Sequence, residues 1–216
     1  MLIVKILQDS DMEDPSDFDG AWKLYSFSRR HRHFADPETI GFEQGGDGDY
    51  PNIGLRRKLA TGTAFMLSYF EHGRCSWGLR GSMDGWPDMR WDGVRTAGIL
   101  ICDDPSNMGA RTYEDRARDA AAFLRTYTAW CNGDGYGFVI EDPAIDEDTG
   151  TGTHIDSCFG FYGNDAEGMA DYIAEAVVGQ PWELDDSEAG SPYGLEDAIR
   201  RTIAIIQART ASETLA

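Results

Sequence analysis

Between Thr126 and Ile199 the chain has no lysine and no arginine. That window of 74 residues carries 17 acids: Asp134, Glu141, Asp142, Asp146, Glu147, Asp148, Asp156, Asp165, Glu167, Asp171, Glu175, Glu183, Asp185, Asp186, Glu188, Glu196 and Asp197. The other 142 residues hold 21 acids and 19 bases, a net of −2, so the window supplies 17 of the 19 net negative charges. Ordinary soluble surfaces intersperse both signs. Here the charge is segregated along the sequence.

Other absences narrow the class. No run approaches the ~18 apolar residues of a membrane span. The opening MLIVKILQDSD has neither a basic n-region nor a small-residue cleavage site, so it reads as a first strand and not as a signal peptide. Cys75, Cys102, Cys131 and Cys158 form no CxxC pair, which argues against a zinc knuckle or a redox motif, and a chain this long needs no disulfide staples. There is no Walker A loop, no GxGxxG after a strand, no HExxH and no GxSxG. The expectation is a reduced, soluble, cytosolic protein without a membrane partner, with no cofactor and no recognised catalytic residues.

What is present supports a folded chain. Hydrophobic residues make up 41% of the 216, enough for a real core. Leu2 to Leu7 suits a buried strand, and Trp22 to Ser28 alternates and runs into the basic stretch that follows. Ala64 to Phe70 and Arg74 to Leu79 read as strands about the turn Glu71-His72-Gly73, with Thr96 to Cys102 as another. Thr39 to Asn52 and Gly81 to Gly93 read as loops. Tyr113 to Cys131 is a helix, with Thr112 and Asp115 in capping-box positions and Asn132-Gly133 as its stop. Gly135 to Ile140 and His154 to Tyr162 are strands about an acidic loop. Asn164 is the expected cap of a second helix with Met169, Ile173 and Val177 inward, ended by Gly179 and Pro181. Trp182 to Pro192 reads as an acidic linker, and Leu195 to about Arg209 as a last amphipathic helix. This order predicts the α+β class: a single domain with a largely antiparallel sheet packed against two or three helices. The domain spans residues 1–190, with a C-terminal helix and tail, 191–216, packed on it.

Several clusters carry candidate chemistry. FSRRHRHFAD, residues 27–36, packs Arg29, Arg30, His31, Arg32 and His33 together. As the exposed end of a strand it would put His31 and His33 on one face and Arg30 and Arg32 on the other. Its cations are expected to face carboxylates of the same molecule; gripping an anion is the alternative. His31 and His33 are weak metal candidates, since a third ligand would have to come from His72 or His154. Asp9, Asp11 and Glu13 resemble the start of a calcium loop. The glycine and glutamate that loop needs are Asp14 and Gly20 here, so a solvated turn is expected. His154, Asp156 and Cys158 would share a strand face, but ~6.6 Å between alternate residues is too far for a nucleophile–base hydrogen bond. The segment Arg74, Trp77, Arg80, Trp86, Arg90, Trp91 and Arg95 interleaves cations and aromatics as single-strand binders do. Asp84, Asp88 and Asp92 dilute it, and anchoring of Trp77 and Trp91 in the fold is the favoured reading.

Three segments resemble a family of uncharacterised proteins of bacteriophages and related mobile elements. Ile6 to Arg30, ILQDSDMEDPSDFDGAWKLYSFSRR, is similar to that family's acidic loop, strand and basic aromatic stretch. Arg90 to Asp103, RWDGVRTAGILICD, resembles its Trp-Asp-x-Gly turn and following strand. Within Gly135 to Gly163, GYGFVIED and DSCFGFYG match, with Phe159 where a tryptophan is common. The resemblance implies a phage product working in a bacterial host cytoplasm. It implies no reaction, and it lapses around His31 to Asp36.

Two functions follow. The first is a non-enzymatic binding protein that presents the Thr126 to Ile199 carboxylates, notably Asp142, Asp146, Glu147, Asp148, Asp165, Glu167, Asp171, Glu175, Asp185, Asp186 and Glu188, to a basic host or phage protein. It could act as a DNA mimic or anti-defence inhibitor. The alternative is a binder of single-stranded nucleic acid or a phosphorylated ligand through Arg29, Arg30, Arg32 and the Arg/Trp segment. The plainest reading of the acids is solvation.

Overall fold

A computed structural model describes residues 1–18, 22–45, 49–106, 109, 111–145, 152–163, 165–185, 187 and 195–213. In chain order the elements are β1 (Leu2–Gln8), β2 (Trp22–Ser26), β3 (Phe42–Glu43), β4 (Tyr50–Pro51), α1 (Ile53–Thr61), β5 (Ala64–His72) and β6 (Arg74–Leu79). They continue with α2 (Met89–Asp92), β7 (Gly93–Cys102), α3 (Tyr113–Cys131), β8 (Gly135–Ile145), β9 (Gly152–Tyr162), α4 (Ala166–Ala176), β10 (Trp182–Asp185) and α5 (Leu195–Glu213). The fold is α+β, with largely antiparallel sheets packed against helices.

Two compact units divide the chain: an acidic unit, Met1–Glu13 with Ala129–Ala216, and a mixed unit, Asp14–Thr128. The acidic unit has a four-stranded sheet in the order β10-β1-β8-β9. β1 pairs antiparallel with β8 and parallel with β10. Period-two alternation sends Leu2, Val4 and Ile6 of β1, and Tyr136, Phe138 and Ile140 of β8, to one face. There they meet Met169, Ile173 and Val177 of α4 and Leu195, Ile199 and Ile206 of α5, the stripes that helical spacing predicts. The same alternation puts Gly137 on the opposite face, where the Phe159 ring lies across it and a Cβ would sit 2.2 Å from that ring.

The mixed unit has a second four-stranded sheet, β2-β7-β5-β6, and the β3–β4 pair. Leu24, Leu100 and Phe65 share one face by register. α3 covers that face: Trp22 Nε1 donates to Asp119 Oδ2 at 2.8 Å, the Phe65 ring lies 5.4 Å from Tyr113, and Trp77 lies 6.2 Å from Tyr127. On the other face Ile99 and Ile101 pack with Leu55 of α1 and Phe42.

The local signals behave as their chemistry requires. Asp115 N–H donates to Thr112 Oγ1 at 3.1 Å and Thr112 N–H to Asp115 Oδ2 at 3.4 Å, the reciprocal capping box. These bonds hold the Asp115 carboxyl below its usual range. Gly133, at φ 71°, ends α3 as expected.

Four expectations are corrected. β2 ends at Ser26 and does not run through the Arg/His stretch. Asp165, not Asn164, caps α4, its side chain accepting from Gly168 N–H at 3.2 Å; Asn164 lies outside the described residues. Trp182–Asp185, expected within a linker, is a strand, because pairing with β1 satisfies its backbone. Residues 53–61, unassigned from the sequence, form a helix capped by Asn52 Oδ1, which accepts from Leu55 N–H at 2.8 Å, and closed by Gly62 at φ 71°.

Candidate functional site

The Arg/His stretch is a loop closed on itself. Ser28 N–H donates to Ser26 Oγ at 3.1 Å and His31 N–H to Ser28 O at 3.1 Å, serine-driven turns that compete with strand continuation. The chain then returns to β2: Ser26 N–H donates to His33 O at 2.8 Å and Ala35 N–H to Ser26 O at 2.9 Å. The histidines face inward. His31 Nδ1 lies 2.7 Å from Ser26 Oγ, and its ring packs 4.6 Å from Tyr69 and 5.1 Å from Trp77. Burial pushes its pKa down, partly opposed by the Glu71 carboxylate. His33 Nε2 lies 2.7 Å from Asp14 Oδ2, and Arg32 Nε 3.4 Å from the same oxygen. The Asp14 side chain is only 1% exposed and also accepts Ser16 N–H at 2.9 Å. The expected pairing with carboxylates of the same molecule is therefore present at Arg32, and His33 contacts the same Asp14 oxygen. Arg29 and Arg30 are exposed, Arg29 lying 5.6 Å from the Phe34 ring. No group of three His, Cys, Asp or Glu suited to a metal ion occurs among the described residues.

The Arg/Trp segment is only partly gathered. Trp77 is buried at 6% exposure and anchors the sheet to α3. Trp91 does not anchor: it is 75% exposed, with the Arg90 guanidinium 4.9 Å from its ring. The correction follows from α2, a single turn whose buried residue is Met89. Trp86 is 44% exposed and meets Phe70 edge-on at 5.5 Å. Phe70 pairs with Gly93, and His72 Nδ1 lies 2.8 Å from Asp92 Oδ2, so Trp86, Arg90 and Trp91 adjoin the β5–β6 hairpin that carries Arg74. That hydrogen bond pulls the His72 pKa up. Arg80 follows the far end of β6, away from this group. Asp84, 3.8 Å from Arg95, and Asp92 keep the surface mixed in sign.

The acid-rich window falls wholly in the acidic unit apart from its first three residues, none of them charged. That unit carries 21 acids and four bases, a net of −17; the mixed unit carries 17 and 15, a net of −2. Of the 17 window acids, Asp146, Glu147, Asp148, Asp186 and Glu188 lie outside the described residues. Eight of the other 12 are exposed: Asp156, Asp165, Glu167, Asp171, Glu175, Glu183, Glu196 and Asp197. Asp156 lies on β9 and Asp165 caps α4, and the other six occupy three surfaces. Glu167, Asp171 and Glu175 form a row along α4, where Arg209 of α5 pairs with Asp171 and lies 3.6 Å from Glu167. Glu196 and Asp197 sit in the first turn of α5 beside Arg200, at 2.6 and 2.8 Å. Glu183, with the half-buried Glu141 and Asp185, lies on the sheet face away from the helices. There Lys5 Nζ is 2.7 Å from Glu141 Oε2, which raises the lysine's pKa. The Asp185 carboxyl is held low, chiefly by hydrogen bonding from Ser187. A groove of about 380 Å³ opens beside the α4 row, walled by Val177, Trp182 and Ile206 and edged by Asp171, Glu175 and Arg209.

The remaining motifs resolve simply. Asp9 Oδ1 accepts Asp11 N–H at 2.9 Å and Asp9 Oδ2 accepts Gly160 N–H at 3.0 Å, a turn fastened to β9. A bulge at Ile155 breaks the alternation, so His154 pairs with Glu141 on one face while Asp156 and Cys158 pair with Ile140 and Phe138 on the other. No helix among the described residues is long and apolar enough to cross a membrane. No protein-family model, no curated protein and no solved structure matches the chain.

Proposed function

We propose that the protein is a binding protein whose acidic unit engages a basic partner, in keeping with the phage and bacterial-host setting that the sequence resemblance implies. One observation carries the reading: the boundary of net charge coincides with the boundary of a compact unit. A net of −17 on some 100 residues, with ten described carboxylates exposed, costs self-repulsion and gives a long-range attraction for cations. The field speeds encounter with a basic surface and repels nucleic acid. The proposal is electrostatic. A decoy of DNA phosphates would need one continuous row, and the longest described row, on α4, is partly neutralised by Arg209.

The test is association of the full chain with a basic DNA-binding protein and with single-stranded DNA across rising salt. Tight uptake of the basic protein that weakens as salt rises is expected, together with a severalfold loss for the double variant Asp171→Asn, Glu175→Gln. Uptake of DNA instead would favour the second reading. The exposed Trp91, with Arg90 stacked on it, is the specific feature that reading rests on.

A further inference from the structure

A sheet edge is a row of unpaired N–H and C=O groups, and proteins blunt it by shortness, cover, bulges, proline or charged side chains. The four outer edges of the four-stranded sheets are blunted to different extents. β10 has four residues. β2 has five, and the returning loop takes both the N–H and the C=O of its last residue, Ser26. β6 has six, begins on Arg74, and its Trp77 N–H donates to Thr128 Oγ1 at 3.0 Å. β9 is the longest of the four at 11 residues, has no lysine, arginine or proline, and is capped near one end, where Gly160 N–H donates to Asp9 Oδ2 at 3.0 Å. Thr153 to Ser157 are exposed in succession, Ile155 is 44% exposed and Phe159 46%. Bulges at Ile155 and Gly160 bracket a regular stretch, Asp156–Phe159. Within it Ser157 N–H donates to its own Asp156 Oδ1 at 2.8 Å, which puts this donor on the side away from β8.

We propose that β9 is the edge on which the basic partner docks, by adding an extended segment of alternating basic and apolar residues as a fifth strand. This rests on the electrostatic reading above and names how that partner is held. The β8 ladder sets the pattern. Ser157 and Phe159 lie on the face of Val139 and Gly137, and Asp156 and Cys158 on the face of Ile140 and Phe138. A strand laid along β9 sets alternate side chains beside Phe159 on one face and beside Asp156 on the other, so apolar and cationic residues fit in turn. Main-chain hydrogen bonds supply affinity and the alternating side chains supply selection. A second copy is the competing occupant, but it would bring another unit of net −17 against this edge.

The test uses the full chain, a ten-residue peptide of alternating lysine and valine, and a helical basic peptide of equal charge. Ser157→Pro removes the outward donor and leaves the β8 ladder untouched. Ser157→Lys is a second variant that adds the charge natural edges use. The extended peptide is expected to slow amide exchange at Asp156–Phe159 and to lose about tenfold or more in affinity with either folded variant, while the helical peptide binds as before. Equal effects on the two peptides overturn the edge and leave the electrostatic reading standing. Failure of both peptides to bind at low salt overturns both. Self-association of the chain that Ser157→Pro or Ser157→Lys abolishes gives the edge to a second copy and overturns the proposal.

Discussion

The two units pack helices onto four-stranded sheets and present different surfaces. The acidic unit buries one sheet face and the mixed unit both, with Phe138 and Ile140 at the centre of one core and Leu67 and Leu100 in the other. The mixed unit nearly balances its charges and closes its loops internally: Asp14 takes His33 and Arg32, Asp92 takes His72, and the loop after β2 returns to Ser26. The acidic unit leaves 17 charges unbalanced and, among the described residues, one long strand with no neighbour on its outer side. Core packing therefore does not account for the asymmetry, since both cores form with the same apolar patterning. Like charges held on one unit destabilise the compact state, a cost that the proposed basic partner would offset.

The comparison can be pressed hardest at the cores. Phe138 and Leu100 are both 0% exposed. Phe138→Ala should cost about 3–5 kcal/mol and Leu100→Ala about 2–5 kcal/mol. In segment-resolved hydrogen exchange the first is expected to speed β1, β8 and α4, and the second β2, β5 and β7. If each variant speeds both sets equally, the division is one of shape and not of energetics.

A smaller effect belongs to a single cap. Asn52→Ala removes the acceptor for Leu55 N–H and should cost about 1 kcal/mol, read by urea unfolding and confined to the mixed unit.

The smallest effect concerns pH, and it sets two histidines of one unit against each other. His31 titrates below its ordinary value near 6.5 when folded. Its contribution is present above that value and is lost as pH falls from there towards the lowered folded pKa. His72 titrates above the ordinary value, so its contribution is present below about 6.5 and is lost as pH rises through the raised folded pKa. Thermal midpoints between about pH 5 and 8 should lose their acid-side decline in His31→Gln and their alkaline-side decline in His72→Gln. Unchanged profiles in both variants would remove the histidines from the unit's pH response.

Much of this was legible where a local signal was strong. Tyr113–Cys131 carries its cap, its stripe and its stop within its own residues, and the helix spans those bounds. Ala64–Phe70 and Arg74–Leu79 are apolar-rich runs about Gly73, whose φ of 74° suits the turn, and the strands Ala64–His72 and Arg74–Leu79 form there. α1 was less legible because Leu55 is its only fully buried residue, so its stripe is faint. β10 was illegible, because four residues acquire strand structure only from β1 beside them. At the candidate site the sequence located the carboxylates and the Arg/Trp segment. It could not separate Trp77 from Trp91, since both look alike until α3 covers one and a single-turn helix leaves the other in solvent.

The sequence by itself determined the charge segregation, the apolar stripes of the helices and the alternation of the strands, because these are properties of residue type and spacing. Only the tertiary structure decided that the acid-rich window belongs to one unit, that Asp14 receives His33 and Arg32, and that β9 ends its sheet. Each of these depends on which distant segments meet, and the free energy of those meetings comes from burial and backbone pairing that no short stretch contains.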